Sequence, residues 1–139
     1  MRNNLGRVSG PLLDRMYIQI EMPAVPFKEL AADTVGPSSE ELRAMVITAR
    51  QAQAKLLVNC SIFCSSQMTT ALTKRFCQLS PEGLHLLETA MERLKLSARA
   101  YSRIHKIART IANLEGGQNI ELLHVSEAIN YRSSDRVLA

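Results

Sequence analysis

The sequence has no tryptophan, and aromatic residues make up only 4% of its 139 positions. Sandwiches and barrels draw on aromatic and β-branched side chains to fill pleated cores, so this scarcity argues against an all-β fold. No apolar run approaches the roughly 20 residues that span a bilayer, and no signal-type apolar segment opens the chain. Three cysteines, Cys60, Cys64 and Cys77, do not make an even disulfide set. A reducing cytoplasm is therefore the expected compartment, with no membrane contact. Lys and Arg number 17 against 13 Asp and Glu, a net charge of +4, and no dense Lys/Arg run is present. That balance permits contact with a polyanion such as ATP or DNA without requiring it. Two further absences bear on chemistry. There is no G-x-x-x-x-G-K-[ST] loop to cradle phosphates, and no apolar strand ends in Asp-Glu to hold magnesium and a water. No nucleophile constellation stands out either. The isolated chain is expected neither to bind ATP tightly nor to act as an enzyme by itself.

What is present reads mostly as helix. Hydrophobic residues reach 46% and are chiefly Leu, Ile, Ala and Met, which suit helix-on-helix packing. Residues 1–37 differ from the rest, holding four of the five prolines, Pro11, Pro23, Pro26 and Pro37. Between them Met16, Ile18, Ile20 and Met22 alternate with other residues, the pattern of one half-buried strand. No second strand follows, so the segment reads as an orphan of a larger sheet. Ser38 and Glu41 form a capping box at the head of a helix with the stripe Leu42, Met45, Val46 and Ala49. Residues 57–68 read as a loop and 70–77 as a short helix with Leu72 and Phe76 on one face. Ser80-Pro81-Glu82 starts a helix carrying Leu84, Leu87, Ala90, Met91 and Leu94. Ser97 caps the next, whose buried face is Tyr101, Ile104, Ile107, Ala108, Ile111 and Leu114, and Gly116-Gly117 ends it. Asn119 or Ile120 opens a last helix with Leu122, Val125, Ala128 and Ile129. The expected fold is all-α: a small bundle of four to five helices over 38–132, preceded by a remnant strand and loop in 1–37 and followed by a tail at 133–139.

Arg99 breaks a local rule. It lies two places after the N-cap, in a turn where the helix dipole favours acids and a cation costs roughly 0.3–1 kcal/mol. One reading is a solvated arginine tolerated at that cost. The other is an arginine that meets a phosphate beside free backbone N–H groups. Arg15, at a turn before the alternating segment, is either a surface charge paired with Asp14 or a cation that reaches an anion across a subunit interface. Arg103, Lys106 and Arg109 line one side of the Ser97 helix, as a solvated basic face or a DNA contact. Cys60, Cys64, Cys77 and His85 have no compact zinc-knuckle spacing, so no metal site is expected. His105 and His124 stand alone on helices and read as surface or core-edge residues.

Three stretches carry a family resemblance. Arg7-Val8-Ser9-Gly10-Pro11-Leu12-Leu13-Asp14-Arg15 resembles the R-[IV]-S-G-P-L-L-D-R segment of the magnesium-chelatase-like AAA+ ATPases of the ComM/YifB group. Leu96-Ser97-Ala98-Arg99-Ala100-Tyr101 through Ile111-Ala112-Asn113-Leu114 is similar to that group's L-S-A-R-A-Y-x-R-[IV] and A-R-T-I-A-[DN]-L block. His124-Val125-Ser126-Glu127-Ala128-Ile129-Asn130-Tyr131-Arg132 resembles its final helix. The resemblance implies that 16–22 is the last strand of an ATPase core and that 38–132 is the helical lid that follows it. It implies that Arg15 is the arginine finger offered to ATP in a neighbouring subunit, and Arg99 the sensor-2 arginine that reaches the γ-phosphate. ATP and magnesium are then cofactors of the longer protein, and the partners are its AAA+ core and neighbouring ring subunits. A helical DNA-binding module of a competence or recombination protein, using Arg103, Lys106 and Arg109, stands as the other reading.

Overall fold

The computed structural model describes residues 12, 15–20, 22–27 and 36–132. The first family motif, apart from Leu12 and Arg15, and the tail at 133–139 lie outside the described residues. Five helices occupy 36–132: α1 (Ser39–Leu56), α2 (Thr70–Phe76), α3 (Pro81–Leu94), α4 (Ala98–Leu114) and α5 (Leu122–Asn130). A single 3-10 turn, Ser65–Gln67, punctuates the α1–α2 connection. Among the described residues there is no strand, only one isolated parallel bridge between Leu79 and Ile120. The all-α expectation holds.

Each helix begins where its first side chains satisfy orphan N–H groups. Ser38 Oγ accepts from the Glu41 N–H at 3.2 Å while the Ser38 N–H donates to Glu41 Oε2 at 2.7 Å, the expected capping box. These bonds hold the Glu41 carboxyl below the usual carboxylate range. Thr69, Ser80 and Ser97 cap α2, α3 and α4 in the same manner, each accepting from the backbone N–H three residues on. Pro81 occupies the first turn of α3, where its missing N–H costs nothing. The end of α4 is a complete Schellman motif: Gly116 takes φ +74°, its N–H reaches the Asn113 carbonyl, and the Gly117 N–H reaches Ala112 at 2.7 Å.

α4 is the hub. It packs against α1, α2, the 3-10 turn and α5, and α3 packs in turn on α5. Nine of its 17 residues are buried, among them Ala100, Ile104, Ile107, Ala108, Ile111 and Ala112. Two members of its expected buried face, Tyr101 and Leu114, are exposed instead, because they sit at the margins of the stripe. The connection 57–68 is a loop held at both ends by Leu57 and Met68, which plug into the core. α5 starts at Leu122, later than expected, because Ile120 is taken into the bridge with Leu79 and buried there. Gly83 of α3 faces α5, where a Cβ would lie in ordinary van der Waals contact, 3.4 Å from Val125 Cγ2.

Three expectations are corrected. The described part of 16–22 is not a strand. With no second strand to pair with, its backbone is met by side chains and a turn: Met16 O accepts from Arg103 and Arg132, and the Gln19 N–H donates to Tyr131 O at 2.9 Å. Nor does Arg109 belong to a solvated basic face. It is 3% exposed, and its guanidinium is spent internally: Nε donates to Asn113 Oδ1 at 3.0 Å, Nη1 to Gln118 O at 2.7 Å and Nη2 to Gly117 O at 2.6 Å. Burial pulls its pKa below the ordinary arginine value, though not far enough to discharge it. His124, read as a surface or core-edge residue, is also buried. Its Nδ1 accepts from the Glu121 N–H at 2.9 Å, which leaves Nε2 to donate to Glu115 Oε2 at 2.8 Å.

Two predictions follow from this packing. A buried acceptor stripped of its donor costs roughly 1–3 kcal/mol, and the Arg109→Met substitution strips three, partly relieved by water at the rim. Arg109→Met should therefore lower unfolding stability in urea by about 2–4 kcal/mol, and Arg109→Lys should recover only part because an ammonium lacks the planar fork. Burial also lowers the pKa of His105 from 6.5, against a weaker opposing bond to the Tyr101 carbonyl. The unfolded chain then binds more protons than the folded one below about pH 6.5. The His105 contribution to stability is complete above that pH and is lost as pH falls through the folded value. A urea midpoint that falls less steeply with acidification in His105→Phe than in the parent checks it.

Candidate functional site

The candidate cations separate into two groups. Arg99 is exposed in the first turn of α4, beside Ser97, whose hydroxyl takes the Ala100 N–H. No acid lies in that turn. Seventeen aligned peptide units stand behind it, so the turn carries the positive end of a full-length helix dipole plus a guanidinium. Arg15 is exposed at a turn closed by its own N–H on the Leu12 carbonyl at 3.0 Å.

The structure brings the Arg15 backbone to the same helix. Met16, the next residue, lends its carbonyl to Arg103 at 3.4 Å and to Arg132, and the Arg103 guanidinium carbon lies 4.7 Å from the centroid of the Tyr17 ring. Arg103 is one turn beyond Arg99 on the same face of α4. Arg103 is thus a clamp that ties the N-terminal segment to α4 by a cation–π contact and a carbonyl bond. Arg132, buried at the end of the chain's helical part, holds the same carbonyl from α5. The sequence reading assigned Arg132 no role. Its one sign in the sequence is its place at the end of the third stretch of family resemblance.

Lys106 is turned elsewhere. Its Nζ donates to Ser66 O at 3.2 Å and fastens the 3-10 turn to α4. With Arg109 inside the core, the three cations 103, 106 and 109 do not form one surface. Each secures a different irregular segment against the same helix.

The cysteines are dispersed in role. Cys77 is core, its thiol against Met68 Sδ at 3.7 Å and pushed up to about 11 by burial. Cys64 is half-buried at the head of the 3-10 turn, with Ser66 Oγ at 3.0 Å, a contact that chiefly holds its thiol below the usual range. His85 stands on the exposed side of α3, 4.0 Å from Glu88. Among the described residues no group of three or more His, Cys, Asp or Glu side chains comes together. None of the described helices is long and apolar enough to cross a membrane.

Known proteins resemble this chain in sequence. Residues 36–132 match the family model described as magnesium chelatase, subunit ChlI C-terminal. The chain is 37% identical over 135 residues to competence protein ComM of Haemophilus influenzae and 36% identical over 135 residues to YifB of Escherichia coli. A more distant relative, Mb2921c of Mycobacterium bovis, is 29% identical over 133 residues. In all three, 96% of this chain aligns but only 26% of the relative is covered. The chain therefore spans about a quarter of the length of these relatives. The matched span starts just before the Ser38 cap and ends on the buried Arg132, so it coincides with the helical bundle, and the chain belongs to the magnesium chelatase ChlI C-terminal family.

Proposed function

We propose that the bundle is the lid of a magnesium-chelatase-like AAA+ ATPase, seated on a core that lies elsewhere in a longer polypeptide. The observation that carries this reading is the apolar stripe of α1. The helix is about 27 Å long at 1.5 Å per residue, and only its second half, through Ala49 and Gln53, is buried. The same stripe continues through Leu42, Met45 and Val46, which are 49%, 54% and 53% exposed. Large side chains left in water at helical spacing mark a contact surface. Relatives about four times as long as this chain leave room for an occupant in a further part of the same polypeptide.

On this reading Arg99 projects from the start of α4 into the cleft beneath the core and meets the γ-phosphate of ATP. An acid-free first turn with a guanidinium fits an anion. In this reading the magnesium and the attacking water are held by the core. Arg15 is the finger toward a neighbouring subunit, where a cation absent from the subunit's own site stabilises charge on the transferring phosphoryl group. The chain is then a sensing and assembly module rather than an enzyme by itself. The alternative of DNA binding through Arg103, Lys106 and Arg109 loses Arg109 to the core and has Arg103 and Lys106 bound to carbonyls.

Two measurements test the proposal. Val46→Asp in the isolated chain should leave stability within about 0.5 kcal/mol, as for an ordinary surface change. In the longer protein the same substitution should reduce ATP hydrolysis, and unchanged turnover there would remove the stripe as a core contact. Arg99→Ala in the longer protein should lower kcat by about tenfold or more, in line with loss of a charged group that acts on the transition state. Full turnover, or tight ATP–Mg binding by the isolated chain, would overturn the reading.

A further inference from the structure

The N-terminal segment is held to the bundle by polar pins. Met16 O accepts from Arg103 of α4 and from Arg132 just after α5. The Arg103 guanidinium carbon lies 4.7 Å from the centroid of the Tyr17 ring, and the Gln19 N–H donates to Tyr131 O at 2.9 Å. Apolar burial adds little. Met16, Tyr17, Ile18, Ile20 and Met22 are all exposed, from 38% for Tyr17 to 75% for Met22. A stretch that leaves its large side chains in water owes its place to its hydrogen bonds and its cation–π contact.

The pins come from two elements that are themselves packed together, α4 and the end of α5. A strip of chain tied from both keeps its direction as well as its position. Arg132 is 1% exposed and is part of the packed base. Arg103 is half-buried and reaches out of it, supplying both the second bond to Met16 O and the contact with the ring. Arg15 directly precedes the pinned residues, its Cα about 3.8 Å from that of Met16. Its own N–H closes a turn on Leu12 O at 3.0 Å, so the chain is constrained on both sides of it. Arg99 lies one turn before Arg103, about 6 Å along the axis of α4. Two exposed arginines far apart in sequence are thus carried on one helix.

We propose that Arg103 is a positioning residue for Arg15: it fixes the segment to α4, so that Arg15 and Arg99 move as one unit. This rests on the lid reading, in which Arg99 faces the ATP of its own subunit and Arg15 that of a neighbour. A displacement of α4 that carries Arg99 toward one nucleotide then shifts Arg15 against the next. The two ATP sites are linked through one helix and one guanidinium. Such a link matters because misplacing a charged group by about 1 Å can cost roughly a hundredfold in rate.

The first measurement needs no ATPase core. Amide exchange followed by NMR on the 139-residue chain should find the Gln19 N–H protected by about tenfold or more over an unstructured rate. Arg103→Met should lower that protection by about threefold to fivefold, the loss of one cation–π contact and one carbonyl bond. Arg103→Lys keeps a cation for both and should restore part of it. The amide of Ala108, inside α4, should exchange within about twofold of the parent in each variant. An unprotected Gln19, or Arg103→Met that matches the parent there, would overturn the proposal. The second measurement uses the longer protein. Arg103→Met should lower kcat for ATP hydrolysis by about threefold to tenfold with KM for ATP unchanged, and Arg103→Lys should recover part. Added to Arg15→Ala it should cost nothing more, because no finger is left to position. A full additional loss in the double variant would overturn the proposal and leave Arg15 as a finger. Full turnover by Arg15→Ala alone would instead remove the finger reading, and the proposal with it, whatever the Gln19 exchange shows.

Discussion

A guanidinium cannot shed its charge inside a protein, so burying Arg109 imposes a condition on everything around it. Each of its hydrogen bonds must find an oxygen, or the bundle carries the cost of a stranded cation. The three oxygens that meet it are neutral: the Asn113 amide one turn on, and the carbonyls of Gly117 and Gln118. They lie where α4 ends and where its dipole is negative, which offsets part of the desolvation. The condition can be met only if the chain turns sharply after Leu114, and the Schellman turn at Gly116 and Gly117 does this. The turn in turn delivers Glu115 to His124 and Ile120 to Leu79. α5 is therefore set on α4, and α3 on α5, through one buried cation.

The same helix organises the parts that bear on function. Its N-terminal turn holds Arg99. Its middle holds the N-terminal segment through Arg103 and the 3-10 turn through Lys106. A helix used in this way has little freedom to tilt without loosening three irregular segments at once. That rigidity suits the lid role proposed above, in which a cation is carried to a fixed place on a partner surface. The half-packed α1 complements it, since a stripe buried at one end and bare at the other is a rigid arm with an unfilled contact.

Much of the helical architecture was legible in advance because its signals are local. A cap and the N–H it serves are three residues apart, as at Ser38, Ser80 and Ser97, and a glycine at positive φ ends α4 where two adjacent glycines stand. The site was legible only in part. Arg99 was conspicuous because it sits against the dipole of its own helix, a conflict visible within three residues. Arg132 and His124 gave no comparable sign, since the Met16 carbonyl and the Glu115 carboxylate that meet them come from other elements.

The sequence by itself determined the all-α class, the order of the helices, most of their starts, and the family to which the chain belongs. Only the tertiary structure decided how each cation is used. Arg103, Lys106 and Arg109 look alike along the helix at a spacing of three. Yet one answers to a carbonyl 87 residues away, one to a carbonyl 40 residues away, and one to a turn nine residues on. The alternating segment that promised a strand depended likewise on a partner the bundle does not contain. In each case the deciding term is whether a distant backbone oxygen comes within about 3 Å, a length set by hydrogen-bond geometry. That distance is a property of the packed bundle and of no stretch of sequence.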